Sequence, residues 1–165
     1  MPVNPSDYDQ ALICDNGHVA TSMLRRAPQH QTPYCEQCGA PNISTCPNCE
    51  QPIRGYYFGG ALIIGGGFDA PPYCVNCGKP YPWTVKAMET AHEAVDDTEE
   101  LTPEERERLK RSIEDVATDN PKTEASARRI RKMLDRLPGT AGEMIEKVAT
   151  AVATEAAKRI LLGGP

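Results

Sequence analysis

Seven cysteines lie between Cys14 and Cys77, and six of them form C-x-x-C pairs: Cys35/Cys38 in "CEQC", Cys46/Cys49 in "CPNC" and Cys74/Cys77 in "CVNC". The seventh, Cys14, stands four residues before His18 in "CDNGH". A C-x-x-C turn aims both sulfurs at one point and turns backbone N–H groups toward them, which offsets the charge of bound thiolates. Four such pairs supply eight ligands, enough for two tetrahedra, one of three thiolates and an imidazole and one of four thiolates. Thiolate and imidazole donors suit zinc, which brings no redox chemistry. The expected metal ligands are therefore Cys14, His18, Cys35, Cys38, Cys46, Cys49, Cys74 and Cys77, holding two structural Zn2+ ions. His18 is chosen because it sits beside a cysteine that otherwise has no partner. His30 is the alternative, and His92, far from any cysteine, reads as a solvated helix residue.

Metal is also what the composition of this region calls for. Before Trp83, Pro, Gly, Tyr and Cys crowd out Leu, Ile and Val, so a large apolar core cannot form and another source of stability is needed. The odd cysteine count argues against a disulfide framework. The opening "MPVNPSDYDQ" has neither a basic nor an apolar leader segment, and no apolar run approaches the roughly 20 residues that span a bilayer. The expectation is a cytoplasmic protein whose thiols stay reduced and available to metal. Net charge is −5, with −2 carried by residues 1–84, so neither half is a polycation and nucleic acid is an unfavoured partner.

The pattern changes after Trp83, which divides the chain into a double zinc-binding module (8–84) and a helical C-terminal region (85–163). A first helix is expected over 84–95. Thr102-Pro103-Glu104-Glu105 is a capping box with proline at the first helical position; it starts a helix to about Ala117 that buries Leu109, Ile113 and Val116. Ala127, Ile130, Leu134 and Leu137 stripe a third helix, which Pro138-Gly139 stops. Thr140-Ala141-Gly142-Glu143 reads as a second capping box, opening one last helix over 140–162 with Met144, Ile145, Val148, Val152 and Ile160 along one side. That stripe serves either an internal bundle face or self-association.

How the ligand pairs share the metals decides the fold. "PYCEQCGAP" and "PYCVNCGKP" are near repeats, each resembling the second knuckle of a zinc ribbon. Sequential pairing would then join Cys14/His18 to Cys35/Cys38, and Cys46/Cys49 to Cys74/Cys77, giving tandem ribbons. The spacing is also compatible with a treble-clef-like cross-brace, pairs one and three on one metal and two and four on the other, as in RING-type zinc fingers.

"CDNGHVAT", "YCEQCGAPNISTCPNCEQPIRGYY" and "PPYCVNCGKPYPW" closely resemble an uncharacterised bacterial family, domain of unknown function 2321, over about residues 8–84, and the helical tail resembles it too. The resemblance implies a zinc-ribbon-like fold and a bacterial cytoplasmic location. It supplies no activity. "FGGALIIGGGF" at 58–68 departs from it, standing where a loop often contains histidine.

No Ser-His-Asp arrangement, phosphate loop or carboxylate pair beside a metal ligand is present, and eight ligands on two metals leave no position for a substrate. The sequence points to a non-catalytic module for protein–protein interaction, its partner a protein. Two alternatives stand beside it. One is a RING-like adaptor in a bacterial ubiquitin-type conjugation pathway, which needs the cross-brace. The other is a nucleic-acid-binding ribbon, which needs Tyr34, Tyr56, Tyr57 and Trp83 exposed beside Arg25, Arg26 and Arg54. The apolar segment 58–68 is either a docking surface or core.

Overall fold

A computed structural model describes residues 7–58 and 67–164. The chain divides into two compact units, Met1–Val85 and Lys86–Pro165. The tip of the apolar segment, 59–66, lies outside the described residues, so its exposure is not assigned.

The first unit is built from short antiparallel strands. β1 (Tyr8–Gln10) pairs with β5 (Arg54–Tyr57), with Tyr8 opposite Tyr57 and Gln10 opposite Arg54. β2 (Leu12–Cys14) is the centre of a second sheet, flanked by β3 (Val19–Thr21) and β4 (Asn42–Ile43). Only Ala11 separates β1 from β2, and its N–H donates to the Ile53 carbonyl at 2.9 Å. One run of residues, 8–14, therefore serves both sheets. Ala11, Ile13 and Ile53 are fully buried and pack with Cys46, Cys74, Tyr81 and Trp83 in a single small core. The two halves of this unit are not independent beads: they share the continuous run 8–14 and a core.

Gly55 shows how closely the backbones approach. A Cβ at this position would lie 2.3 Å from the Ser22 carbonyl oxygen and 2.8 Å from the Gln10 carbonyl carbon. The Tyr56 N–H donates to the same Ser22 carbonyl at 2.8 Å. Only glycine lets β5 sit there.

The second unit is helical. α1 (Pro82–Asp96), whose first turn contains the division between the units, is followed by α2 (Pro103–Val116), α3 (Thr123–Leu134), α4 (Gly139–Val152) and α5 (Glu155–Leu161). The Thr102 box forms in full: the Glu105 N–H donates to Thr102 Oγ1 at 3.2 Å, and the Thr102 N–H to Glu105 Oε2 at 3.1 Å. Leu109, Ile113 and Val116 are buried as their spacing requires, with Ala127, Ile130 and Leu134 facing them from α3. His92 is half-buried rather than solvated; its Nε2 lies 3.4 Å from Glu114 Oε1 on α2.

Two expectations for the C-terminal part are corrected. The box at 140–143 does not form: Pro138 is the N-cap, with no side-chain cap hydrogen bond, and its carbonyl accepts the Gly142 N–H at 2.9 Å. The cap therefore falls two residues earlier than Thr140, at a proline whose fixed φ suits it, which places Thr140 inside the first turn. Nor is 140–162 one helix. Ala153 turns extended, with ψ 147°, and the Thr154 N–H donates to the Val116 carbonyl at 2.8 Å. Thr154 then caps α5 by accepting the Ala157 N–H. The break turns α5 onto α3 and buries Ala153, Ala157 and Leu161. Of the anticipated stripe, Ile145 is fully buried, Val148, Val152 and Ile160 pack against the core, and Met144 is exposed.

Candidate metal centres

Three loops of the first unit have the same backbone. In each, the first cysteine's N–H donates to the carbonyl five residues on: Cys35 to Ala40 at 2.8 Å, Cys46 to Gln51 at 2.8 Å and Cys74 to Lys79 at 2.9 Å. Its carbonyl accepts the N–H four residues on, from Gly39, Glu50 and Gly78, all at 2.8 Å. A bridge then closes each loop at a proline: Tyr34 with Pro41, Thr45 with Pro52, Tyr73 with Pro80. The residue after the second cysteine has positive φ, 72° at Gly39 and Gly78 and 60° at Glu50. "CPNCEQP" is thus a third copy of the knuckle, hidden in sequence because glutamate occupies the left-handed position where the others carry glycine. The proline six residues after each first cysteine is the signal that reveals it. The Cys14/His18 turn is different: it is the hairpin between β2 and β3, closed by the Cys14 N–H to the His18 carbonyl at 3.0 Å.

The donors gather in two groups, Cys14, His18, Cys35 and Cys38 in one and Cys46, Cys49, Cys74 and Cys77 in the other, with the donor atoms of each within 4.8 Å of one another. The grouping is sequential. The cross-braced alternative is not what this fold builds, because β2 carries Cys14 beside β4 and β4 follows directly on the Cys35 knuckle. The four central thiols accordingly face different centres.

Both groups have the dimensions of a zinc tetrahedron. Zn–S bonds of about 2.3 Å imply sulfur–sulfur edges of about 3.8 Å, and a Zn–N bond of about 2.0 Å gives a sulfur–nitrogen edge of about 3.5 Å. In the first group Cys14 Sγ lies 3.8 Å from Cys38 Sγ. His18 presents Nδ1 at 3.6 Å from Cys14, 3.3 Å from Cys38 and 3.7 Å from Cys35. In the second group Cys46–Cys77 is 3.8 Å and Cys49–Cys74 is 3.7 Å. All seven cysteines are free thiols. His30 is not in either group.

Electrostatics point the same way. The Ala40 N–H, helped by the Asn16 amide at 3.4 Å and by His18, holds the Cys38 thiol down at about 6. Burial pushes Cys14 up. At Cys74 burial is outweighed by N–H groups of Cys77 and Asn76 and by the Tyr81 hydroxyl, which together bring the thiol down to about 6. At Cys49 the Gln51 N–H is outweighed by burial and by the neighbouring sulfurs, which push it up to about 12. In each group one thiol ionises readily and another resists, because closely spaced sulfurs cannot all be charged without a cation among them. A divalent ion removes that conflict.

Two supporting residues are not evident from cysteine spacing. Asn16, inside "CDNGH", donates its amide to Cys38 across the group. Tyr81 is buried, hydrogen-bonds Cys74, and stacks on Trp83 with ring centroids 4.7 Å apart. Its hydroxyl is in turn raised by burial and by the adjacent sulfurs. The Trp83 indole N–H donates to the Pro71 carbonyl at 2.9 Å, closing the chain back over the second group. Such outer contacts orient metal ligands and tune their basicity.

Fold and donor sets together define a protein of zinc-stabilised β modules followed by a helical region. The profile of a family described as an uncharacterized protein conserved in bacteria, domain of unknown function 2321, matches residues 7–161, and the chain belongs to that family. No curated protein and no solved structure matches it. Among the described residues no helix is long and apolar enough to cross a membrane.

Proposed function

We propose that the protein is a non-catalytic scaffold of the bacterial cytoplasm, in which Cys14, His18, Cys35 and Cys38 hold one zinc and Cys46, Cys49, Cys74 and Cys77 a second, and in which the metal-fixed surface binds a protein partner. The observation that carries this reading is the saturation of each group. Four protein donors fill a tetrahedron and leave no position for water or substrate, the arrangement of structural zinc. The knuckles hold exposed side chains on stiff turns: Tyr34 is 62% exposed and Val75 57%, one beside each centre. A rigid surface loses little entropy on association.

The alternatives lose support. A RING-like adaptor requires cross-braced ligands, and the grouping is sequential. A nucleic-acid ribbon requires Trp83 in an exposed aromatic face, but Trp83 is buried, Arg26 lies over Phe58 at 3.4 Å, and residues 1–84 are acidic overall. Self-association through the last helix has little surface to use, since most of its stripe packs on the unit's own core.

The test is crosslinking followed by affinity capture of the tagged full-length protein from its native host, with mass spectrometry. A protein recovered in stoichiometric amount with wild type and lost with Cys46→Ser supports the scaffold reading. Recovery of nucleic acid instead, or of no partner, overturns it.

A further inference from the structure

The second knuckle pair forms one wall of a pocket of about 340 Å³ whose other side carries Arg25 and Arg54. Gln51 projects from the Cys46 knuckle, and Val75 and Asn76 lie between the cysteines of the Cys74 knuckle. The Arg54 guanidinium carbon lies 4.3 Å from the centre of the Tyr8 ring, a cation–π contact that helps hold the group at the pocket. The Arg25 main chain is fixed by its N–H to Asp9 Oδ1 at 2.8 Å. The buried Asp9 carboxylate also lines the pocket, where it is satisfied by the N–H groups of Gln10 at 2.7 Å and Arg25 at 2.8 Å and by Arg26 Nε at 3.9 Å. Among the described residues, neither Arg25 nor Arg54 forms an ion pair within 4.0 Å, although residues 1–84 are acidic overall.

From this we infer that the pocket is a carboxylate-binding site for a protein partner, taking one Asp or Glu side chain of an extended peptide, with an apolar neighbour of that side chain resting on Val75. Two guanidiniums and the amides of Gln51 and Asn76 match a planar acceptor, which arginine binds in a two-pronged fashion. A single acidic residue fits better than a polyanion. Among the described residues only these two cations line the pocket, and the surrounding charge of the module repels a longer negative chain. Because one wall is made of metal-fixed turns, binding depends on the second zinc. The inference rests on the scaffold reading and adds to it the chemistry of the partner.

The experiment is a titration of zinc-loaded full-length protein, observed by two-dimensional NMR including the arginine Nε–H resonances. The probe is Ac-Gly-Leu-Glu-Leu-Gly-NH2, with its Gln counterpart as control. Expected are saturable shifts at Arg25, Arg54, Gln51 and Asn76, weakened by salt, and at least tenfold weaker binding for the Gln peptide. Arg25→Gln/Arg54→Gln should lose binding at least tenfold while keeping two zincs and a dispersed spectrum. Equal binding of both peptides, no shifts at these residues, or unchanged affinity in the double variant overturns the inference. So does tighter binding of a short oligothymidylate at the same residues. A silent pocket in a protein that still captures a partner through its folded zinc module removes this site alone and leaves the scaffold standing.

Discussion

The two units differ in what keeps them folded. In the helical unit sixteen buried residues form one apolar core, with Leu109, Ile113, Ile130, Ile145 and Leu161 almost or wholly inaccessible. Among the described residues of the first unit the comparable cluster has seven members, of which only Ile13 and Ile53 are bulky aliphatics and two are cysteines. At about 25 cal/mol per Å² of buried apolar surface, such a cluster is too small to offset the ordering of its loops. Its remaining stability has to come from cross-links between segments far apart in sequence, as Cys14 is from Cys38 and Cys46 from Cys77. A chain can thus use local helix rules in one half and long-range ligand geometry in the other, and the two halves should fail under different insults.

The largest difference should come from metal removal. Structural zinc contributes on the order of 10 kcal/mol per site, so chelation should unfold the first unit, read by Trp83 fluorescence, while the helical circular dichroism signal largely persists. Metal analysis before chelation should give two zincs per chain. Parallel loss of helix would show that the units are not separately stabilised.

The converse perturbation is Ile113→Ala. Removing a fully buried isoleucine side chain should cost about 2–5 kcal/mol. It should lower the helical melting transition and leave zinc content at two; a fall in zinc content would break the comparison.

Within the first unit, Gly55→Ala tests whether backbone fit matters beside the metal. The added methyl collides with the Ser22 carbonyl, and a forced backbone shift costs about 1–3 kcal/mol. The variant should lose zinc to a competing chelator sooner than wild type, with helical melting unchanged.

A smaller effect is expected at the Thr102 cap. Thr102→Ala should lower helical stability by about 1 kcal/mol. Glu105, held below its ordinary carboxylate pKa of 4.5 by the Thr102 N–H and by Arg136, contributes stability that is present above that value and lost as pH falls through the lowered one. Helical melting should therefore decline on acidification in wild type more than in Glu105→Gln.

The finest test concerns the hidden knuckle. Glu50 occupies a left-handed conformation that costs a side-chain-bearing residue about 1 kcal/mol. Glu50→Gly should tighten zinc retention at the second centre a few-fold, and Gly78→Ala should loosen it by a similar factor.

Much of this architecture could be read in the residues. The ligand candidates, the Thr102 box and the apolar spacing of α2 and α3 rest on rules that operate within one turn of chain, and the structure shows the donors gathered, the box formed and the stripes buried. The shared knuckle at Cys46 was also present in sequence, in the proline at position 52, but glutamate at position 50 concealed it.

What local rules could not supply were the outcomes of competition between distant segments. Spacing alone allowed two ways to share the thiols; the pairing of residues 8–14 with both β4 and β5 selects the sequential one. Periodicity continued one helix through Ala153, yet the Val116 carbonyl captures the Thr154 N–H and breaks it. Tyr81 looked like one aromatic among several until the fold placed its hydroxyl on Cys74. The sequence by itself determined the kinds of local unit, because a C-x-x-C turn or a capped helix is specified by a few adjacent residues. Tertiary structure decided which units share a metal, where the last helix breaks and which arginines face the second knuckle pair, because those depend on contacts between residues tens of positions apart.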